Sequence, residues 1–342
     1  MRRWTPFGLV FLHLVGGAIS RAQVDTELHQ PTRSPSNLVL ETALGAATVD
    51  RNGAQPRRIP VRRNELLTTI AETRGGWTAA GIKQVRHGSE LILVSRGSTG
   101  TKRLSSPSAQ RHDLRLRPTL LIGDDTMRGL AWLEGPDVTS LSVRTSGRVD
   151  DAWDDVVVVA PPAKGSQTGL VGAELVNGSW LLVWSAFDGQ DDDLLWSHGR
   201  NGGWSAARRV GPNNSTPDVT PTLVTTADGA LLAWSRMIDG HYQIMMARFD
   251  GSTWSSPSLI GPQGSLEPTF AVREGRLHLL YRHAWPSAWA VADLTPEGRM
   301  DRIAILAEDH ATRPVVVGSS SREVELRWPG RGRQSHPWEV IP

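Results

Sequence analysis

Apolar and polar positions alternate in short runs along most of the chain, and the runs repeat. Residues 181–204 read LLVWSAFDGQDDDLLWSHGRNGGW, and residues 231–254 read LLAWSRMIDGHYQIMMARFDGSTW. Each copy passes from an apolar run through Trp-Ser to an Asp-Gly turn, then to a second apolar run, a polar turn and a Trp. Such runs, bounded by Gly, Asp and Pro, predict short strands joined by tight turns.

With Trp184 and Trp234 as anchors, the same slot falls on Trp132, Tyr281 and Trp328, in steps of 52, 50, 47 and 47 residues. Ile82–Arg96 aligns without gaps on Thr222–Arg236, which puts Val94 in an earlier slot. Six slots at a near-constant period predict an all-β repeat fold. We expect a single β-propeller of four-stranded antiparallel blades, most simply six within a range of five to seven. A first strand precedes each slot, opened by Pro at Pro118, Pro221, Pro268 and Pro314, where no ladder donor is needed. A second Trp follows the third strand at Trp153, Trp204 and Trp254. Glu65–Trp77 is similar to the back half of a blade, Asp193–Trp204, while the last copy ends after two strands. Joining these halves would close the ring and remove exposed edges. A Trp at a fixed slot is expected to pack between blades, its ring covering the neighbouring sheet.

Residues 1–22 are expected to be a signal peptide. Arg2 and Arg3 precede an apolar run from Phe7 to Ile19, and Ser20-Arg21-Ala22 offers small residues for cleavage before Gln23. The run is too short to span a bilayer, and residues after the arginine pair do not support twin-arginine export. This predicts a periplasmic or extracellular protein without a membrane span. Residues 23–63 read as an extended leader with one strand at Leu38–Leu40, and 64–342 as the propeller domain. The chain has 37 Lys+Arg and 35 Asp+Glu, and removal of Arg2, Arg3 and Arg21 leaves 34 against 35. That balance gives no electrostatic reason to expect a nucleic-acid partner. No Cys is present, so neither disulfides nor a lipobox cysteine can contribute.

The stretches Asp250–Ser255 and Asn201–Ser205 resemble Asp-box (BNR) turns, the hairpins that recur in sialidase-like propellers. Asp250 lies four residues before Trp254, where the box has five. The resemblance implies the propeller fold over about residues 65–342. It does not imply catalysis, because the box is a folding element away from the active site. A sialidase would also need three arginines on a carboxylate, a Tyr nucleophile paired with Glu, and an Asp acid/base. The mature chain offers only Tyr242 and Tyr281, and one match, Arg58-Ile59-Pro60, to the family's Arg-Ile-Pro motif.

Propeller connectivity narrows the search for a site. Turns from second to third strand, and segments from a fourth strand to the next first strand, share one face. There the chain offers Asp188, Asp239, His241, Arg282, His283 and Trp285, joined by Arg117, Asp218, Glu267 and Arg313 at the first strands. Arginine, carboxylate, histidine and tryptophan together suit a sugar or an acidic small ligand. Asp218 and Glu267 are candidate paired carboxylates for glycoside hydrolysis, a reaction that needs them about 5–10 Å apart. Asp188-Gly189 and Asp239-Gly240 equally read as turn formers. Asp191 and Asp193 could hold Ca²⁺, with Asp192 directed to the opposite face by strand alternation. No other cofactor is expected. The leading expectation is an exported, non-catalytic binding or scaffold module for a glycan or an envelope or extracellular protein. The alternative is a sialidase-like glycoside hydrolase.

Overall fold

A computed structural model describes residues 32–33, 38–43, 45–51, 57–107, 113–200, 203–273, 276–284, 287–295, 298–306, 314–328 and 333–340. Among these residues the chain forms seven antiparallel sheets and no helix. Sheets II to VI are successive meanders of at least four strands. Sheet II runs Glu65–Thr73, Gly76–Val85, Gly88–Gly97 and Gly100–Leu104. In sheet III, Leu114–Gly123, Thr126–Gly135 and Ser142–Val149 are followed by Ala152–Trp153 and Val157–Ala160, both on the third strand. Sheet IV comprises Gln167–Glu174, Trp180–Phe187, Asp192–Arg200, Gly203–Trp204 and Arg208–Arg209. Sheet V comprises Asp218–Thr226, Gly229–Ile238, His241–Phe249 and Ser258–Leu259. Sheet VI comprises Ser265–Arg273, Arg276–Ala284, Ser287–Leu294 and Met300–Ile305.

First strands of successive sheets pack against one another, from Glu65–Thr73 through to Val315–Ser319. This is the β-propeller arrangement: repeated meanders, innermost strand first, joined by short crossovers. The hydrophobic core is correspondingly divided. Among the described residues, six buried clusters each span two consecutive sheets. The slot residue belongs to the cluster shared with the preceding sheet: Trp132 with sheet II, Trp184 with III, Trp234 with IV, Tyr281 with V and Trp328 with VI. All five are at most 1% exposed. An indole buries about 200 Å², which at about 25 cal/mol per Å² is a gross gain of ~5 kcal/mol per sheet interface. The expected packing role is therefore what the slot does.

The structure departs from expectation at both ends. Glu65–Thr73 pairs with Gly76–Val85 through a tight turn at Gly75 (φ 77°), not with the C-terminal strands. A two-residue hairpin closes locally, whereas the expected ring closure would join segments far apart in sequence. Trp77 thus opens a second strand instead of following a third. The slot in sheet II is Gly81, not Val94. Thr69 pairs Ala80 just before it, as Thr119 pairs Ala131 before Trp132 and Thr222 pairs Ala233 before Trp234. Val94 lies on the third strand, opposite Ala79. A Cβ on Gly81 would come within 2.0 Å of the Leu66 carbonyl oxygen, so the backbones meet where other sheets seat an aromatic ring.

Where one strand of a leader was expected, Thr32–Arg33, Leu38–Ala43, Ala46–Arg51 and Arg57–Ile59 form sheet I. Leu40, Val49 and Ile59 join Leu67, Ile70 and Trp77 in a shared core. Ile59, the centre of the Arg-Ile-Pro match, is fully buried there. Sheet VII has three strands, Val315–Ser319, Glu323–Arg327 and Arg333–Pro337, and the tail returns to sheet VI, where Glu339–Val340 pairs with Met300–Ile305.

The prolines open no strand in sheets III, V and VI. Pro118, Pro221 and Pro268 lie inside first strands, each at a register shift. A bulge leaves one residue without a ladder partner, so the missing N–H of proline costs nothing there. The preceding residue is left-handed in each case: Arg117 (φ 51°), Thr220 (φ 54°) and Glu267 (φ 54°), with Gly169 (φ 61°) in sheet IV.

Candidate functional site

The end of the sheets that carries the second-to-third-strand turns is built on a row of buried polar rungs. Two residues beyond the slot, the second strand faces the start of the first strand: Lys83 opposite Glu65, Glu134 opposite Arg115, Ala186 opposite Gln167, Arg236 opposite Asp218 and His283 opposite Ser265. In sheet V, Asp218 accepts from Trp234 Nε1 (2.7 Å), Arg236 Nε (2.7 Å), a second Arg236 nitrogen (2.8 Å) and Asn214 Nδ2 (3.2 Å). In sheet III, Glu134 accepts from Trp132 Nε1 (2.8 Å) and Arg115 Nε (3.0 Å). In sheet II, Arg103 reaches Glu65 with two bonds (2.6 and 3.0 Å). Burial alone would raise the Glu65 pKa, but Arg103 and the Arg62 N–H hold it below the usual range. Gln167 in sheet IV donates to the carbonyls of Leu141 and Pro161.

Serine hydroxyls next to the slot tie neighbouring sheets together. Ser185 Oγ donates to the Asp218 carbonyl (2.8 Å), and Ser235 Oγ accepts the N–H of Glu267 (3.0 Å). The recurring Trp-Ser pair therefore has two structural duties, indole packing and a bond to the next first strand. The Ser half was not recognised in the sequence, because its partner lies 32 or 33 residues away.

These contacts sort the candidate residues. Asp218 is 4% exposed and committed to its rung. Arg117 and Glu267 share the level of the first-strand bulges, Arg117 exposed and Glu267 half-buried. Asp218 and Glu267 occupy different positions on their strands, and Asp218 is occupied by four donors, so they do not form a free carboxylate pair. Asp239 (φ 49°) and Gly240 (φ 79°) make a tight turn, leaving Asp239 and His241 exposed. Arg282 and His283 are half-buried at the matching end of sheet VI, and burial lowers the His283 pKa. Trp285 and Arg313 lie outside the described residues. Tyr281 is fully buried, its hydroxyl has no hydrogen-bond partner among the described residues, and burial raises its pKa. That chemistry is opposite to what a nucleophilic tyrosine needs. Tyr242 is half-buried, its pKa raised by burial and by Asp192.

The acidic turn of sheet IV brings three carboxylates together. Asp188, Asp191 and Asp193 each place an oxygen within 4.8 Å of the others. Asp188 Oδ1 accepts the N–H groups of Gln190 (2.9 Å) and Asp191 (3.4 Å), which with Arg209 and Lys164 keep its pKa low. Arg209 donates to Asp193 (2.7 Å) and Asp188 (3.0 Å). Asp192 stands outside the group, as strand alternation requires. Burial and the neighbouring Asp191, Asp193 and Asp188 push its pKa up to about 6. Arg209 and Lys164 were missed in the sequence; the only local signal is the placement of Arg209 at the end of a fourth strand, which connectivity assigns to this face.

The turn after the third strand of sheet V is held as its sequence suggests. Asp250 accepts the N–H groups of Thr253 and Ser252 (both 2.8 Å) and their hydroxyls, which lower its pKa to about 2. Trp254 then packs on Phe249 (ring centroids 5.0 Å apart) and Trp196 (6.3 Å).

No family model matches the chain, and no curated protein matches it. Solved structures do. A protein of unknown function from Dyadobacter fermentans DSM 18053 is similar at 15% identity and TM-score 0.53, over 80% of this chain and 93% of that one. AofleA from Arthrobotrys oligospora, in a mutant form, is similar at 11% identity and TM-score 0.52, over 83% of this chain and 89% of that one. A puromycin-hydrolyzing peptidase from Mycobacterium tuberculosis is similar at 14% identity and TM-score 0.51, over 80% of this chain and 46% of that one. At these identities the likeness is one of fold alone.

Proposed function

We propose that the protein is an exported, non-catalytic propeller that binds a glycan at the face carrying the second-to-third-strand turns of sheets V and VI. Asp239, His241, Arg282 and His283 supply donors and acceptors there, and the sequence adds Trp285 as an apolar platform for a sugar ring. The apolar segment at residues 7–19, with its arginines and small residues, supports export. The observation that carries the non-catalytic part is the state of the two groups best suited to glycoside cleavage. Tyr281 is buried without a partner, and Asp218 is locked by Trp234, Arg236 and Asn214.

Screening residues 23–342 on a glycan array tests the reading. Retention of a defined glycan class, weakened about tenfold or more by the double substitution His241→Ala and Arg282→Ala with the melting temperature unchanged, supports it. No retained glycan, together with capture of a single envelope protein that the same double substitution releases, would replace the glycan by a protein partner.

A further inference from the structure

The acidic turn of sheet IV carries more negative charge than its surroundings neutralise. Asp191 is 5% exposed and Asp193 3%, and both oxygens of Asp191 lack a hydrogen-bond partner among the described residues. A buried carboxylate without a partner is costly, so such groups are usually paired, protonated or bound to metal. Arg209 is the guanidinium in contact, and it bonds Asp188 and Asp193, not Asp191. Arg236 is held in two bonds to Asp218. Lys164 runs past the turn, since a Cβ on Gly189 would lie 3.7 Å from its Nζ, but it too acts on Asp188.

We propose that Asp188, Asp191 and Asp193 bind a hard divalent cation, calcium in preference to magnesium. Three carboxylates from one six-residue loop-and-strand segment offer oxygen donors only, the ligand type these ions take. The turn is preorganised: the Asp188 N–H donates to the Asp191 carbonyl (3.0 Å), while the Asp188 carboxylate caps Gln190 and Asp191. Asp193 is fixed by the ladder opposite Ala186 and by Arg209. Asp191 is the member whose oxygens accept no hydrogen bond among the described residues, and one of them lies within 4.8 Å of an oxygen of each of the other two carboxylates. Arg209 occupies one oxygen each of Asp188 and Asp193, which leaves an irregular donor set. Calcium tolerates variable geometry, whereas magnesium demands a near-ideal octahedron. This inference is independent of the glycan reading, because its readout is metal content.

The test is calcium stoichiometry on EDTA-treated, dialysed residues 23–342, measured by equilibrium dialysis with elemental analysis, alongside melting curves with and without millimolar calcium. The expected result is one calcium per chain and a higher melting temperature in calcium. Asp191→Asn, nearly isosteric, is expected to weaken binding at least tenfold and abolish the thermal shift, while Asp155→Asn at an exposed site changes neither. Wild-type protein that retains no calcium at millimolar concentration overturns the proposal, whatever the variants do. So does binding that Asp191→Asn leaves intact.

Discussion

Glu134 and Asp218 perform one task from opposite strands. Glu134, on the second strand of sheet III, accepts the Trp132 indole N–H and the guanidinium of Arg115. Asp218, on the first strand of sheet V, accepts the Trp234 indole N–H and the guanidinium of Arg236. The charges are exchanged across the rung, yet each carboxylate satisfies an indole that the core would otherwise strand. A polar rung that can be inverted without moving its Trp is tied to the slot rather than to a ligand, which removes Asp218 from the candidate site.

Asp218→Ala should therefore act as a structural lesion. It would leave the half-buried Arg236 unpaired and the buried Trp234 N–H unsatisfied, at a cost of about 3 kcal/mol. Gln167→Ala, at the neutral rung of sheet IV, should cost about 1–3 kcal/mol. Urea denaturation of both variants checks the order, and equal losses would show that the ion pair adds nothing beyond hydrogen bonding.

Gly81→Ala is expected to destabilise, although the equivalent position holds Trp in four sheets. Its Cβ would meet the Leu66 carbonyl at 2.0 Å, so the two strands must separate. A cost of about 1–3 kcal/mol is expected, read as a shift in the denaturation midpoint. A neutral substitution would mean the strands relax freely at that point.

That glycine also shows where the sequence was legible. Trp132, Trp184, Trp234 and Trp328 could be aligned because one bulky side chain meets one need, covering the preceding sheet. Gly81 has no side chain for that task and lies instead against the Leu66 backbone of its own sheet, so it offers no letter to match, and Val94 on the third strand takes the slot in the sequence pattern. The tight turns at Gly75 and Asp239-Gly240 are local, and only the second was read correctly, because Trp77 imitated the Trp that closes a third strand. The acidic turn was partly legible: alternation separates Asp192 from Asp191 and Asp193. Arg209, Lys164 and the rung partners of Asp218 were not legible, since each contact crosses strands at separations that hydrophobic pattern does not encode.

Tyr281→Phe separates packing from chemistry. The hydroxyl is buried without a partner, so its removal should leave stability unchanged or raise it by up to about 1 kcal/mol. Glycan binding should be unaffected. A melting temperature several degrees lower would reveal a partner for the hydroxyl, and loss of a measurable hydrolytic activity would restore Tyr281 as a nucleophile.

His283 should impose an acid limit on stability. Burial lowers its folded pKa below the ordinary 6.5, so the unfolded chain takes up the proton first. Its contribution is complete above about pH 6.5 and is lost progressively as pH falls from there through the folded value. Urea midpoints between pH 7.5 and 5 should fall more steeply for wild type than for His283→Gln. Parallel curves would place the acid sensitivity elsewhere.

The central claim is that this propeller binds a glycan without cleaving it. The most direct measurement mixes purified residues 23–342 with the glycan retained on the array and weighs that glycan by mass spectrometry after prolonged incubation. The account predicts full recovery of the intact glycan, in both the bound and the free fractions. Fragments that accumulate with time, and that disappear on Glu267→Gln, would contradict it.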